Sequence, residues 1–152
     1  MNIGHYATIN DSSFLTYKFE SIGPKGIIKK VVLYRKLNIR NETTYNLSFG
    51  DWDEINGRIN DIAISNNNDT TKVLFTVGLT VLEFVKHFPN AKVLIVGSTD
   101  SRTRLYQMAI NQHYKAIAEL FEIEGYRNGY WEKFIHGRNF EAFLIKSNVK
   151  NL

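Results

Sequence analysis

The chain contains no cysteine. Disulfides, thiolate metal sites and cysteine nucleophiles are therefore excluded. Proline occurs only twice, and no repeat, low-complexity tract or linker interrupts the chain. No apolar run reaches the length that spans a bilayer. The segment Met1-Asn2-Ile3-Gly4-His5-Tyr6 lacks the basic stretch and apolar run of a signal peptide. The expectation is a cytoplasmic protein with no membrane partner. A Walker lysine and a G-x-G-x-x-G run are both missing, which excludes the usual nucleotide loops. No cofactor is expected.

What is present describes an ordinary folded chain. Its 152 residues, 43% of them hydrophobic and 13% aromatic, suit one domain that buries its own core. The net charge is +4. A moderate basic excess favours nucleic acid or another polyanion as a partner, and it serves solubility equally well.

Pattern along the chain predicts an α+β fold: an antiparallel meander, then helix–strand–helix, then a C-terminal hairpin, with two helices packed on a mostly antiparallel sheet. Residues 14–20 read as a strand with Leu15, Tyr17 and Phe19 on one face, and 21–26 as a turn marked by Gly23-Pro24 and Gly26. A second strand covers 27–37, long enough to hold a bulge. In a third, over 43–49, Tyr45, Leu47 and Phe49 point inward while Thr44, Asn46 and Ser48 point outward. Asn56-Gly57 suggests a tight hairpin turn, with a short strand over 59–64. Asp69 is the expected N-cap of a helix over 70–87. Its wide apolar face includes Leu74, Val77, Val81, Phe84, Val85 and Phe88, and Gly78 is read as a point of close packing on the sheet. Residues 93–96 form a buried strand. A second helix over 101–120 is expected to bury Leu105, Met108, Ala109, Ala116, Ile117 and Leu120, and to expose Arg104, Gln107, Asn111 and Lys115. Strands over 122–126, 130–135 and 139–146 close the chain, with turns at Asn128-Gly129 and Gly137-Arg138-Asn139.

Local chemistry stands out most at residues 97–106. Gly97, Ser98, Thr99, Ser101, Arg102, Thr103, Arg104 and Tyr106 surround the start of the second helix. A helix N-terminus carries partial positive charge, so cations there cost a few tenths of a kcal/mol each. Two arginines in the first turn are explained if an anion, such as a phosphate, binds the free N–H groups beside them. The helical wheel sets Arg102 and Tyr106 next to the apolar face and turns Arg104 toward solvent. The competing reading makes Thr99 or Ser101 a simple cap and pairs the arginines with acids elsewhere.

Three further constellations are weaker. Asp51, Asp53, Asp61 and Asp69 offer hard oxygen ligands, but their spacing matches no EF-hand loop, and turn and cap roles explain them. His113 and His136 are candidate general bases for a metal-independent RNase or toxin-type enzyme; His5 and His87 complete the set, and no two histidines have metal-ligand spacing. Lys25, Lys29, Lys30, Arg35, Lys36 and Arg40 cluster in the meander, where Tyr34 and Tyr45 would provide stacking faces for a single strand of nucleic acid. Trp52 and Trp131 are the aromatics of a third possibility, a protein-interaction module.

The runs Tyr45-Asn46-Leu47-Ser48-Phe49-Gly50-Asp51, Ser65-Asn66-Asn67-Asn68-Asp69, Gly97-Ser98-Thr99 followed by Arg102-Thr103-Arg104-Leu105-Tyr106, and Asn139-Phe140-Glu141-Ala142-Phe143-Leu144 resemble a family of small uncharacterised bacterial proteins, of a kind common in Bacteroidota. The resemblance covers residues 14–146, and its most specific part is the Gly-Ser-Thr-x-x-Arg-Thr-Arg-Leu-Tyr motif. It implies a bacterial single-domain protein. It carries no mechanism, cofactor or catalytic residue.

Overall fold

A computed structural model describes residues 4–39, 42–60 and 66–148. The fold is α+β: among these residues nine strands make one mixed, mostly antiparallel sheet, accompanied by three helices. The strands are β1 (Ile9–Asn10), β2 (Thr16–Gly23), β3 (Gly26–Ile39), β4 (Glu42–Asp53), β5 (Arg58–Asn60), β6 (Lys92–Ile95), β7 (Phe121–Arg127), β8 (Tyr130–Lys133) and β9 (Ala142–Ser147). The helices are α1 (Thr70–His87), α2 (Asp100–Gln112) and α3 (Tyr114–Leu120). The strand order is β1-β2-β3-β4-β6-β9-β7-β8, with β5 paired to β4. The chain divides into two compact units, one drawn from Met1–Arg35 and Ser48–Phe84, the other from Lys36–Leu47 and Val85–Leu152.

In the first unit β2 and β3 pair without a slip from Thr16↔Leu33 to Gly23↔Gly26. No bulge interrupts this ladder, and the turn shrinks from the expected six residues to Pro24-Lys25. The turn is held from outside. Asn67, 1% exposed, accepts the Lys25 amide on Oδ1 at 2.7 Å and donates from Nδ2 to the Gly26 carbonyl at 2.9 Å. Gly23 is required by this contact, since a Cβ there would lie 2.1 Å from the Asn67 carbonyl oxygen. Tyr17, Phe19, Val32 and Tyr34 form the buried face, and Tyr34 stacks on Phe84 of α1 with ring centroids 4.2 Å apart. Gly78 is exposed, and a Cβ there would meet nothing within 4 Å. It is a solvent-facing helical residue and not a packing device.

The Asn56-Gly57 hairpin is also built differently from expectation. Its loop has four residues, 54–57, because Asp53 organises it. Asp53 Oδ1 accepts the amides of Ile55 and Asn56, Oδ2 accepts Asn56 Nδ2 at 2.7 Å, and the carbonyl accepts the Gly57 amide. These bonds hold the Asp53 carboxyl below its usual range, the Asn56 side chain contributing most. β5 begins at Arg58; the rest of the expected 59–64 strand, from residue 61, lies outside the described residues.

In the second unit β6 lies between β4, to which it is parallel, and β9, to which it is antiparallel. Val93 and Ile95 are buried. Thr44 in β4, expected to face outward, is only 4% exposed. A strand with neighbours on both sides hides short side chains on either face. β7 and β8 form the predicted hairpin, with Asn128 and Gly129 both at positive φ (52° and 84°) as a two-residue turn of that hand requires.

The second helix departs most from expectation. It is broken at His113, whose φ of −113° and ψ of 20° end α2 and begin α3. Asn111 supplies the reason: its carbonyl lies 3.2 Å from His136 Nε2, and its side-chain Oδ1 accepts the Gly137 amide at 3.4 Å. The His136 ring sits on a backbone carbonyl that would otherwise accept within the helix, in a stretch of weak helix formers. The buried face is turned as well. Arg102, Thr103, Tyr106, Gln107 and Ile110 are inside, whereas Met108 is 59% exposed and α3 buries no residue. Leu105, Ala109 and Ile117 are half-buried, and Ala116 and Leu120 are exposed.

Candidate anion site at the start of the second helix

The strand-to-helix turn after β6 is shaped by its own hydrogen bonds. Thr99 is the N-cap, in extended conformation, and its Oγ1 accepts the Arg102 amide at 3.2 Å. Thr103 Oγ1 accepts the Gly97 amide at 2.9 Å and donates back to the Thr99 carbonyl at 3.3 Å. The close approach that Gly97 permits is therefore to the helix itself: a Cβ there would lie 2.4 Å from the Thr103 nitrogen. Gly97 and Thr103 are framework residues.

Around this frame Ser98, Thr99, Asp100, Ser101 and Arg104 are exposed, while Arg102 is 5% and Tyr106 7% exposed. Arg102 Nη1 donates to Ser98 Oγ at 3.3 Å, so the arginine reaches back over the helix end to the turn. Burial of Arg102 and Tyr106 and exposure of Arg104 follow the helical wheel. Of the eight candidates, the structure gathers Ser98, Thr99, Ser101 and Arg102 at one helix end, and leaves Arg104 on the surface.

The other constellations fare differently. Lys30, 1% exposed, pairs with Asp51, and Lys29 pairs with Glu54 at the surface. Tyr34 and Tyr45 are core residues and offer no stacking face: Tyr34 lies against Phe84 and bonds Thr80 Oγ1 at 2.9 Å, and Tyr45 packs near Phe88. Burial pushes the Tyr34 hydroxyl far above its usual range. Lys25, Arg35 and Lys36 are exposed; Arg40 lies outside the described residues. The aromatic–basic platform expected from the meander is thus not formed.

The aspartates disperse too. Asp51 meets Lys30, and Asp53 closes its own turn. Asp69 sits at the cap position, its carbonyl accepting the Val73 amide at 2.9 Å, while Oδ2 accepts the hydroxyls of Tyr6 at 2.6 Å and Ser21 at 2.5 Å. Asp61 lies outside the described residues. Among the described residues no group of three His, Asp or Glu side chains is placed to hold a metal. His136 is exposed and its ring lies 5.6 Å from that of Tyr114, while His113 marks the helix break. Among the described residues no helix is long and apolar enough to cross a membrane.

Two polar centres escaped the pattern reading. Ser21, Asn67, Asp69 and Tyr6 form one network that ties the β2–β3 turn to the start of α1. Gln107, expected at the surface, is 5% exposed; it donates to the Arg138 carbonyl and accepts the Phe140 amide at 2.8 Å. Helical spacing of apolar residues carries no signal for either. The polar run 65–69 is the hint that the sequence offers for the first.

The fold defines a mixed α+β protein whose most chemically distinctive surface is a helix N-terminus bearing a buried arginine. Residues 2–148 match the model of a family of unknown function, DUF6934, and the chain belongs to that family. No curated protein and no solved structure is significantly similar to it.

Proposed function

We propose that this protein binds a phosphate-bearing partner, nucleic acid or nucleotide, at the turn formed by residues 97–106. One observation carries the reading: Arg102 is 5% exposed in the first turn of α2 and reaches Ser98, next to the exposed hydroxyl residues Ser98, Thr99 and Ser101. Burying a guanidinium is costly, and the helix dipole disfavours a cation at this end. An anion bound across the helix end turns the second of these terms favourable, and the hydroxyls supply donors for it. Arg104, exposed two residues on, provides a rim charge. The basic net charge of +4 assists approach of a polyanion.

Titration with inorganic phosphate, nucleotides and short RNA and DNA strands, at several salt concentrations, tests this reading. Arg102→Ala is expected to weaken binding by about 1.5–3 kcal/mol, as loss of a charge-assisted hydrogen bond does. Arg104→Ala is expected to weaken it less. Affinity for a strand is expected to fall as salt rises. Failure of every phosphate compound to bind, or binding unchanged in a folded Arg102→Ala variant, would end the reading. Turnover of RNA in the presence of a chelator would replace it with an enzymatic one.

A further inference from the structure

We propose that the outer edge of β8 pairs antiparallel with the same strand of a second copy of this chain. Among the described residues β8 is a terminal strand of the sheet, paired on one side only, with β7. Just past its end the Phe134 amide donates to the Ile123 carbonyl at 3.0 Å. Alternate residues of an antiparallel strand bond the same neighbour. Tyr130 and Glu132 therefore share Phe134's direction, and Trp131 and Lys133 turn their N–H and C=O groups away from β7. Such an edge is a template for another strand unless it is closed. In the other unit the protein does close one: the Tyr6 hydroxyl accepts the Ile22 amide at 3.1 Å and lies 3.2 Å from its carbonyl, covering that edge of β2. Among the described residues no side chain closes Trp131 or Lys133 in this way, and both are exposed.

The edge is complementary to itself. A two-fold axis through Glu132, perpendicular to the sheet, sets Trp131 opposite Lys133 of the second copy, and Lys133 opposite its Trp131. Each pair joins two outward-facing backbones, and its side chains share a face of the sheet. An ammonium beside an indole ring is attractive, and the arrangement supplies it twice. The two Glu132 carboxylates meet near the axis. Each already lies 3.5 Å from Arg127 and 2.9 Å from Arg138, so the surplus charge there is positive and their repulsion is compensated. Trp131 is held in place by Tyr126, its ring 5.2 Å away. Four residues make a small interface, so the dimer is weak and concentration-dependent.

Sedimentation equilibrium over a wide concentration range reads the association directly. Lys133→Pro removes an amide that faces away from β7, a position where an edge strand tolerates proline, and is expected to weaken the dimer at least tenfold with an unchanged circular dichroism spectrum. Trp131→Ala is expected to weaken it in the same direction. The chain has no cysteine, which allows a test of register. A mixture of Trp131→Cys and Lys133→Cys chains is expected to cross-link through a short thiol reagent, while neither variant alone does so efficiently. A monomer at every concentration overturns the proposal. So does a dimer that survives in folded Lys133→Pro protein, or cross-linking as efficient in the separate variants as in the mixture.

Discussion

The ring of Phe140 occupies the space that a side chain on Gly125 would need: a Cβ on that glycine would lie 2.3 Å from Phe140 Cδ1. Gly125 sits in the middle of β7, where a glycine has no conformational advantage and weakens the strand. It is there for the ring. Phe140 packs in turn against Phe134 and Phe143, at centroid separations of 5.3 and 6.3 Å.

Gly125→Ala is accordingly expected to destabilise the protein by roughly 1–3 kcal/mol, as overpacking does. Phe140→Ala in the same chain removes the ring atoms at fault and relieves the clash. The double variant should be more stable than the sum of the two single losses, by a coupling of at least about 0.5 kcal/mol. Urea unfolding of the four proteins measures the coupling, and strict additivity would show that Phe140 does not dictate the glycine.

Gln107 is expected to matter through the loop it holds. Gln107→Glu keeps an acceptor for the Phe140 amide but sets a carboxylate oxygen against the Arg138 carbonyl, where the amide nitrogen donated. Burying that unmatched charge should cost at least about 1–3 kcal/mol. Because it replaces a donor with an acceptor, Gln107→Glu should lower the melting temperature at neutral pH and recover part of it at acid pH, where the carboxyl is protonated. An unchanged melting temperature would place Gln107 outside this network.

The Lys30–Asp51 pair makes an asymmetric prediction. Lys30 is 1% and Asp51 15% exposed at the side chain. Removing one member takes this pairing from the other's buried charge, so Asp51→Ala should cost up to about 3–5 kcal/mol. Replacing both with apolar residues of similar size, Lys30→Met with Asp51→Leu, should cost much less than Asp51→Ala alone. Denaturant titration of both variants decides it, and equal losses would mean that the charge pairing is not what matters.

Tyr17 gives a pH dependence. Its hydroxyl is buried, and among the described residues nothing hydrogen-bonds it. Burial pushes its pKa up to about 12, with the charges of Glu83 and Asp11 adding to the shift. A pKa raised on folding means that the folded state holds the proton more tightly. This contribution is complete below the unfolded tyrosine value of about 10 and is lost as pH rises toward the folded value. Stability should therefore fall above pH 10, with buried Tyr34 acting in the same direction. Tyr17→Phe removes an unsatisfied hydroxyl, so the variant should match or exceed the parent at pH 7 by up to about 1–3 kcal/mol, and should lose less stability on going to pH 11. Parallel pH-dependent melts of parent and variant measure both effects, and a variant less stable at pH 7 contradicts the orphaned hydroxyl.

By itself the sequence determined the α+β class, the bounds of α1, the Asn128-Gly129 hairpin and the inward faces of β2 and β4. These rest on local period and turn chemistry, which neighbouring residues carry between them. The same local rules put Arg102 and Tyr106 inside and Arg104 outside. Only tertiary structure decided where polar residues went. Gln107 is buried because the Arg138 carbonyl and Phe140 amide, more than thirty residues away in sequence, need its amide. The second helix breaks at His113, two residues after Asn111, whose carbonyl faces the His136 ring from a distant turn. Tyr34 enters the core because α1 covers it, with Phe84 stacked on its ring. A polar side chain goes inside when distant groups satisfy it, and those partners leave no mark on the residues beside it.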